Sequence, residues 1–164
     1  MLIHARLPLD DTATDKETLL VLYHLLNYLR PKVVVEAGTW LGHFSVVASE
    51  ILPDSKIYTA DTFEAGVVGP SNMEFYLGDF EAMLQTISEP IDFAFIDSGP
   101  PFVQEWEHDV RWRHYSAVKP YMAKGGLIVS HDMNSRDWNH AEDILADSSL
   151  YLPGGRGITI KQVH

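Results

Sequence analysis

The sequence predicts an α/β fold: a three-layer sandwich around a mostly parallel seven-stranded sheet that closes with a C-terminal antiparallel hairpin. Three observations predict it. Short apolar runs of strand length alternate with helical patterns along most of the chain. Several of these runs end on an acidic residue. Two last apolar segments, at 150–152 and 157–163, flank a Pro-Gly-Gly turn, which is typical of a hairpin.

The size and composition indicate one globular domain spanning 1–164, in which 1–13 is an irregular arm. Hydrophobic residues make up 46% and charged residues 21%, as in ordinary soluble domains. There is no cysteine, which excludes a disulfide, a thiolate metal site and a cysteine nucleophile. The sequence shows neither a signal peptide nor an apolar run of the roughly 20 residues that a membrane span needs. A cytoplasmic location without membrane contact is the default expectation.

The formal net charge is −11, which argues against the basic footprint of a nucleic-acid binder. It suits a neutral or cationic small molecule, or solubility alone.

The central segment of the sequence reads strand, glycine turn, helix. The apolar run 33–35 is followed by Glu36, by Gly38 and by Gly42, and then by apolar residues at helical spacing over 44–52. A helix N-terminus after a glycine turn favours a ligand carboxylate or phosphate. The spacing is E-x-G-x-x-x-G and lacks the third glycine of the dinucleotide fingerprint, which disfavours a nicotinamide-dependent oxidoreductase.

The first half of the chain supplies two more strands and two more acids. A capping box starting at Thr14 precedes an amphipathic helix that ends before Pro31. The strand 56–61 ends on Asp61, which can hold both ribose hydroxyls or act as a turn residue. The segment 62–72 predicts a loop in place of a crossover helix. After a strand at 73–77, Asp79 can contact an adenine amine or cap the next helix, or do both.

The second half repeats the pattern. A strand is expected at 91–97, with Asp97 as its last residue, and a long helix is expected over about 103–118. A strand is expected at 127–132, with His131 and Asp132 as its last residues. Because ligands in open α/β sheets lie beyond the carboxyl ends of the strands, these groups are expected in the same crevice as Glu36 and Asp61. A last helix is expected over 138–147.

Three motifs carry a resemblance that covers nearly the whole chain: Glu36-Ala37-Gly38-x-x-x-Gly42, Phe95-Ile96-Asp97, and Gly125-Gly126-Leu127-Ile128-Val129-Ser130-His131-Asp132. The chain resembles class I S-adenosylmethionine-dependent methyltransferases, in the small-molecule O-methyltransferase branch with macrocin-type and cephalosporin-biosynthesis-like members. The resemblance implies a Rossmann-like fold in which one hairpin strand inserts antiparallel beside strand five. It implies S-adenosyl-L-methionine as cofactor and a small-molecule acceptor.

The resemblance also implies roles for individual residues. Those expected to bind the cofactor are Glu36, Gly38, Thr39, Gly42, Asp61, Thr62, Asp79, Phe80 and Asp97. The branch often binds Mg²⁺ or another divalent cation, and the expected ligands are Asp97, His131 and Asp132. The expected catalytic residues are Asp97 and His131. His131 can be a metal ligand, a general base or a histidine satisfied at a strand end.

Two departures from the family pattern concern the acceptor site. The chain before strand one is short and 62–72 is loop-like, so little polypeptide roofs the pocket. The segment 98–102, Ser-Gly-Pro-Pro-Phe, stands where the family usually has an acid–histidine pair. Either a large acceptor binds openly or a second subunit supplies the roof, which would make the protein a homodimer.

The leading hypothesis is therefore methyl transfer to an oxygen of a small molecule, with a divalent cation as an optional aid. One alternative is a module that binds S-adenosylmethionine without turnover. The other is nucleic-acid N-methylation, which the charge and the absence of an N/D-P-P-Y/F motif disfavour.

Overall fold

A computed structural model describes residues 14–64, 66–99, 110–134 and 140–164. The predicted arm 1–13, the first part of the predicted helix 103–118 and the start of the predicted helix 138–147 lie outside the described residues. Within the described ranges, no helix combines the length and the apolar character that crossing a membrane requires.

Five helices and seven strands make up the described part of the chain. The helices are α1 Lys16–Leu29, α2 His43–Ile51, α3 Phe80–Leu84, α4 Val110–Val118 and α5 Ala141–Asp147, and a 3₁₀ turn follows α4 at Lys119–Tyr121. The strands are β1 Val33–Ala37, β2 Lys56–Asp61, β3 Met73–Leu77, β4 Ile91–Ile96, β5 Met122–His131, β6 Leu150–Leu152 and β7 Ile158–Gln162.

The strands form one sheet in the order β3-β2-β1-β4-β5-β7-β6. The first five strands in this order run parallel to one another, and β7 pairs antiparallel with both β5 and β6. The order reverses beside β1, so β1 and β4 flank the switch point at which open α/β sheets bind ligands. The predicted fold class, including the inserted hairpin strand, is confirmed.

Helices cover both faces of the sheet, which explains why the strands are apolar on both sides. On one face α1 and α2 pack Leu22, Leu26 and Phe44 against residues that include Phe93 and Phe95. On the other face, side chains of α3, α4 and α5 pack against alternate strand positions. The carboxyl edge of the sheet remains between these two helix layers.

Three boundaries differ from the prediction. The N-cap of α1 is Asp15, whose carboxylate accepts from the main-chain N–H of Thr18 at 3.0 Å, so helix α1 begins one residue later than a Thr14 cap implies. The hydroxyl of Thr14 instead donates to Asp97. Strand β5 begins at Met122, before the Gly-Gly pair and not at 127, and α3 ends at Leu84, whereas the sequence pattern extends this helix to about Ile87. The described residues of 62–72 contain no helix, which confirms the predicted gap.

Candidate active site

The glycine turn after β1 is held tightly against the end of β4. Gly38 has φ +92°, and a Cβ added there would lie 2.7 Å from the main-chain oxygen of Asp97. Gly42 has φ +75° and is the N-cap of α2, where an added Cβ would lie 2.6 Å from the Val67 side chain. Both positions therefore require glycine, for conformation and for space.

Glu36 is buried beneath this turn. Its carboxylate accepts from the Thr59 hydroxyl at 2.5 Å, and the Thr39 and Thr59 hydroxyls lie 2.6 Å apart. Burial, together with the nearby charges of Asp97 and Asp61, raises the pKa of Glu36 well above its usual value. The side chain of Thr39 faces this buried chain of oxygens, so a ligand can reach Thr39 only through its main chain.

Asp61 is fixed at the end of β2 by two main-chain donors. The N–H of Trp40, in the glycine turn, donates to one carboxylate oxygen at 2.8 Å, and the N–H of Phe63 donates to the other at 3.0 Å. Each oxygen keeps a further lone pair, so the carboxylate can still accept two hydroxyls. Thr62, predicted beside it, is exposed.

Trp40 is a residue to which the sequence assigned no role. It has a φ of +43°, a conformation that costs free energy for a residue with a bulky side chain. Its ring packs on Phe63 with centroids 6.0 Å apart, and its indole N–H is buried without a hydrogen-bond partner among the described residues. The feature of the sequence that could have pointed to Trp40 is a large aromatic residue inside a glycine turn.

The end of β3 carries a second group of predicted residues. Asp79 caps α3 by accepting from the N–H of Glu81, and it also pairs with Arg113 at 3.1 Å. The ring of Phe80 is only 1% exposed and belongs to the core, so Phe80 can border a ligand only through its main chain.

His114, in α4, lies between this region and the end of β4. Its ring is 5.2 Å from that of Phe80, and its Nδ1 lies 2.8 Å from the hydroxyl of Ser98. Burial, aided by the Arg113 charge, lowers the pKa of His114 to about 4. The histidine is therefore neutral at pH 7.

His131 links the end of β5 to β4 and to the start of α1. It is completely buried, with Nδ1 2.7 Å from Asp97 and Nε2 2.9 Å from Asp15. Carboxylates only accept hydrogen bonds, so both ring nitrogens act as donors and the ring is an imidazolium. Although burial opposes the charge, Asp97 and Asp15 raise the pKa of His131 to about 9.

The charge of His131 lowers the pKa values of the two carboxylates that contact it, Asp97 and Asp15. Burial alone would raise the pKa of Asp97, but His131 and Arg111 lower it below its usual value. Burial likewise opposes the ionisation of Asp15, and the bonds from His131 and Thr18 outweigh it, so the pKa of Asp15 is lowered. The start of α1 is thus held against the candidate site by an ionic hydrogen-bonded bridge.

Asp132 follows in a left-handed conformation, with φ +61°. It pairs with Arg156 at 2.6 Å and with Arg111 at 3.2 Å. The buried guanidinium of Arg111 also donates to the main-chain oxygens of Ser98 at 2.9 Å and His131 at 2.5 Å. It therefore ties the ends of β4 and β5 together.

The predicted metal ligands do come together: one ligand atom from each of Asp97, His131 and Asp132 lies within 4.8 Å of the others. In the described arrangement a divalent cation does not fit among them. The oxygens of Asp132 face two guanidinium groups, and both ring nitrogens of His131 already contact carboxylates. These carboxylate contacts also disfavour the general-base role of His131.

Sequence reasoning missed the partners that complete this edge of the sheet: Asp15, Arg111, Arg156, Ser98 and the indole of Trp40. Arg111 was missed because the sequence interpretation placed Val110, with His114 or Tyr115, on the buried face of this helix. The buried residues of α4 are Arg111, His114, Tyr115 and Val118. An arginine at the apolar spacing of a helix was the available signal.

Comparison with known protein families decides the identity of the fold. A family model described as a methyltransferase domain matches residues 35–133, well over half of the chain. The chain belongs to the methyltransferase domain family. The match runs from within β1 to just beyond β5 and so contains most of the acidic strand ends described above. No curated protein sequence matches the chain.

Solved structures with the same fold include several methyltransferases of low sequence identity. The O-methyltransferase TomG from Streptomyces achromogenes, in complex with SAM, is 19% identical, with TM-score 0.68 over 94% of this chain and 83% of TomG. An O-methyltransferase from Bacillus cereus, in complex with SAH, is 17% identical, with TM-score 0.72 over 98% of this chain and 94% of that one. The SAH-bound methyltransferase PaMTH1 from Podospora anserina is 16% identical, with TM-score 0.71 over 98% and 84%.

Proposed function

We propose that this methyltransferase transfers the methyl group of S-adenosyl-L-methionine to an oxygen of a small-molecule acceptor. The observation that carries the proposal is the fixed carboxylate of Asp61, held against the glycine turn by the N–H of Trp40 at 2.8 Å. A carboxylate with free lone pairs beside a glycine turn, in the crevice of a parallel sheet, suits a ribose diol. The SAM- and SAH-bound neighbours and the O-methyltransferases among them support the cofactor and the reaction class.

In this proposal the residues of the chain bind and orient. Asp61 accepts the two ribose hydroxyls, and Asp79 with the main chain at Phe80 borders the adenine. Gly38 and Gly42 let the methionine part approach the turn, above the buried Glu36. The bound cofactor supplies an electrophilic methyl group, so the protein has mainly to place an acceptor oxygen in line with it.

The acceptor is then expected at the ends of β4 and β5. Asp97 lies there, next to the glycine turn, with 16% of its side chain exposed, whereas His131 is completely enclosed. We assign His131 the part of a positioning residue that keeps Asp97 ionised and in place. Asp97 is the residue of the predicted catalytic pair that a ligand can reach.

The test is calorimetric titration of the purified protein with S-adenosylmethionine and with S-adenosylhomocysteine. Asp61→Ala removes two hydrogen bonds to a charged acceptor, each of which contributes about 1.5–3 kcal/mol, so binding should weaken at least a hundredfold. The matched control is Asp54→Ala, an exposed aspartate in the turn before β2. It should bind like the wild type.

Turnover is tested separately, by release of S-adenosylhomocysteine in the presence of phenols, hydroxy acids and sugar hydroxyls as acceptor classes. Cofactor binding with methylation of at least one class is the expected result. Absence of cofactor binding would refute the proposal. Tight binding without turnover on any class would favour the module that binds S-adenosylmethionine without turnover.

Further proposals concern the protein as a whole. We propose that 1–164 is one domain that acts in the cytoplasm, and the charge of −11 supports an acceptor other than nucleic acid. A homodimer is supported by apolar side chains that α1 leaves exposed, among them Leu20 at 50% and Tyr28 at 87%. Sedimentation velocity would test the dimer.

A further inference from the structure

The ends of β4 and β5 place two of the predicted metal ligands against arginine side chains. Among the described residues, Asp97 and Asp132 lie beside Arg111, and Asp132 also pairs with Arg156. A divalent cation placed between Asp97 and Asp132 would stand next to these guanidinium groups, and partly buried like charges repel strongly.

We propose that the guanidinium groups of Arg111 and Arg156 take the position of the divalent cation, so that this methyltransferase works without a metal. The inference rests on the proposed function for its activity measurement only. Metal binding itself is tested without cofactor or acceptor, so the two ideas can fail separately.

The side chain of Arg111 is fixed in this position by burial and by several contacts. Its side chain is 9% exposed and lies 3.2 Å from Asp132 and 4.0 Å from Asp97, between the two carboxylates. Two main-chain oxygens, of Ser98 and His131, fix the plane of its guanidinium. A Cβ added at Gly99 would lie 3.1 Å from Nη2, so glycine at this position leaves the guanidinium its space.

Arg156 completes the arrangement from the hairpin. Its Nε is 2.6 Å from the other oxygen of Asp132, and its main-chain N–H donates to Asp15 at 3.2 Å. Both oxygens of Asp132 therefore face a guanidinium. A planar guanidinium matches a carboxylate well and, unlike an ion, cannot dissociate from the site.

The first measurement is a titration of the wild-type protein with Mn²⁺, followed by the electron paramagnetic resonance signal of the free ion. The expected result is no binding at this site, together with no rise in unfolding temperature in the presence of Mg²⁺ or Mn²⁺. Stoichiometric binding that stabilises the protein and is lost in Asp132→Asn would overturn the proposal, because a ligand that binds only the folded state raises stability.

The second measurement asks whether the guanidinium groups are what excludes the ion. Arg156→Ala removes a side chain that is 42% exposed, so this variant should fold, and it should bind Mn²⁺ more tightly than the wild type. The conservative variant Arg156→Lys keeps the positive charge, so it should bind Mn²⁺ no better than the wild type. A folded Arg156→Ala that binds no better than the wild type would also overturn the proposal.

Activity provides the third measurement. Dialysis against EDTA should leave release of S-adenosylhomocysteine unchanged for whichever acceptor is methylated. Loss of activity that Mg²⁺ or Mn²⁺ restores would contradict the inference while leaving the proposed methyl transfer intact.

Discussion

The two halves of the carboxyl edge hold their acids in opposite ways. In the cofactor half, at the ends of β1 and β2, Glu36 and Asp61 are bonded by a hydroxyl and by main-chain N–H groups, all neutral donors. In the acceptor half, at the ends of β4 and β5, Asp97 and Asp132 face His131 and two arginines. The neutral donors leave Asp61 able to accept from a ligand, whereas the cations hold Asp97 and Asp132 in place as charged carboxylates.

The largest expected effect is a loss of stability at Gly38, where the two halves of the carboxyl edge are in contact. Gly38→Ala should destabilise the protein by about 3 kcal/mol, because a Cβ there meets the main-chain oxygen of Asp97 as well as requiring a positive φ. Gly125→Ala is the control: its φ is +85° but its Cβ would enter open space, and about 1 kcal/mol is expected. Urea unfolding followed by tryptophan fluorescence measures both. Equal losses would show that contact between the halves contributes nothing.

The next effect concerns the cationic half. Asp15→Asn keeps a good N-cap for α1 but removes a charge from His131, and a loss of about 2 kcal/mol is expected at pH 7. Asp79→Asn, at the exposed cap of α3, is the control and should cost less than about 1 kcal/mol. Urea unfolding would again report the difference.

This loss should depend on pH in a defined direction. The pKa of His131 is raised to about 9, so the stabilisation is fully present below about 6.5 and disappears as pH rises through 9. Wild type and Asp15→Asn should therefore converge in stability at high pH. A difference that stays constant to pH 10 would mean that the bond does not depend on a charged histidine.

A smaller effect separates the two buried histidines. The pKa of His114 is lowered to about 4, so the folded state resists its protonation while the unfolded state accepts a proton below about 6.5. Stability should fall by on the order of 1 kcal/mol per pH unit as pH drops from 6.5 towards 4. His114→Asn should reduce this slope, and the exposed control His24→Asn should not. Chemical unfolding at several pH values would measure this slope. An unchanged slope in His114→Asn would mean that a group other than His114 takes up the proton on unfolding.

The smallest effect lies in the neutral half, at Glu36. Burial raises the pKa of Glu36, so wild-type stability should decline as pH rises above the ordinary value of 4.5. Glu36→Gln imitates the protonated acid and should weaken that decline, whereas Glu50→Gln, exposed at the end of α2, should leave it unchanged. Unfolding at pH 5 and pH 8 provides the comparison. A steeper decline in Glu36→Gln would show that the carboxylate is ionised and needed.

The same contrast explains what the sequence could predict. Strands β2 and β3 were predicted to the residue, because apolar runs bounded by turn residues are local signals. The glycine turn with Glu36, and Asp61 at the next strand end, follow from motif spacing within one βαβ unit. Their roles toward a cofactor remain predictions.

The partners in the acceptor half could not be predicted in this way. Asp15 and His131 are 116 residues apart, and Arg111 reaches Asp132 from a different element. Such pairs arise only when the whole sheet has assembled, and no local pattern encodes them. The capping pattern at Thr14 was even misleading, since the hydroxyl of Thr14 bonds to Asp97 at 2.9 Å instead of capping α1.

The carboxylate contacts of His131 also have a consequence for substrate choice. With the imidazole donating from both nitrogens, His131 is not placed to take a proton from an alcohol, and the ionised Asp97, a weak base, is the member of the predicted catalytic pair that an acceptor can reach. We therefore expect the preferred acceptor to carry an oxygen that ionises near neutral pH without help from a strong base on the protein. Discrimination among substrates would follow their acidity, and the rate would track the titration of the substrate rather than that of the enzyme.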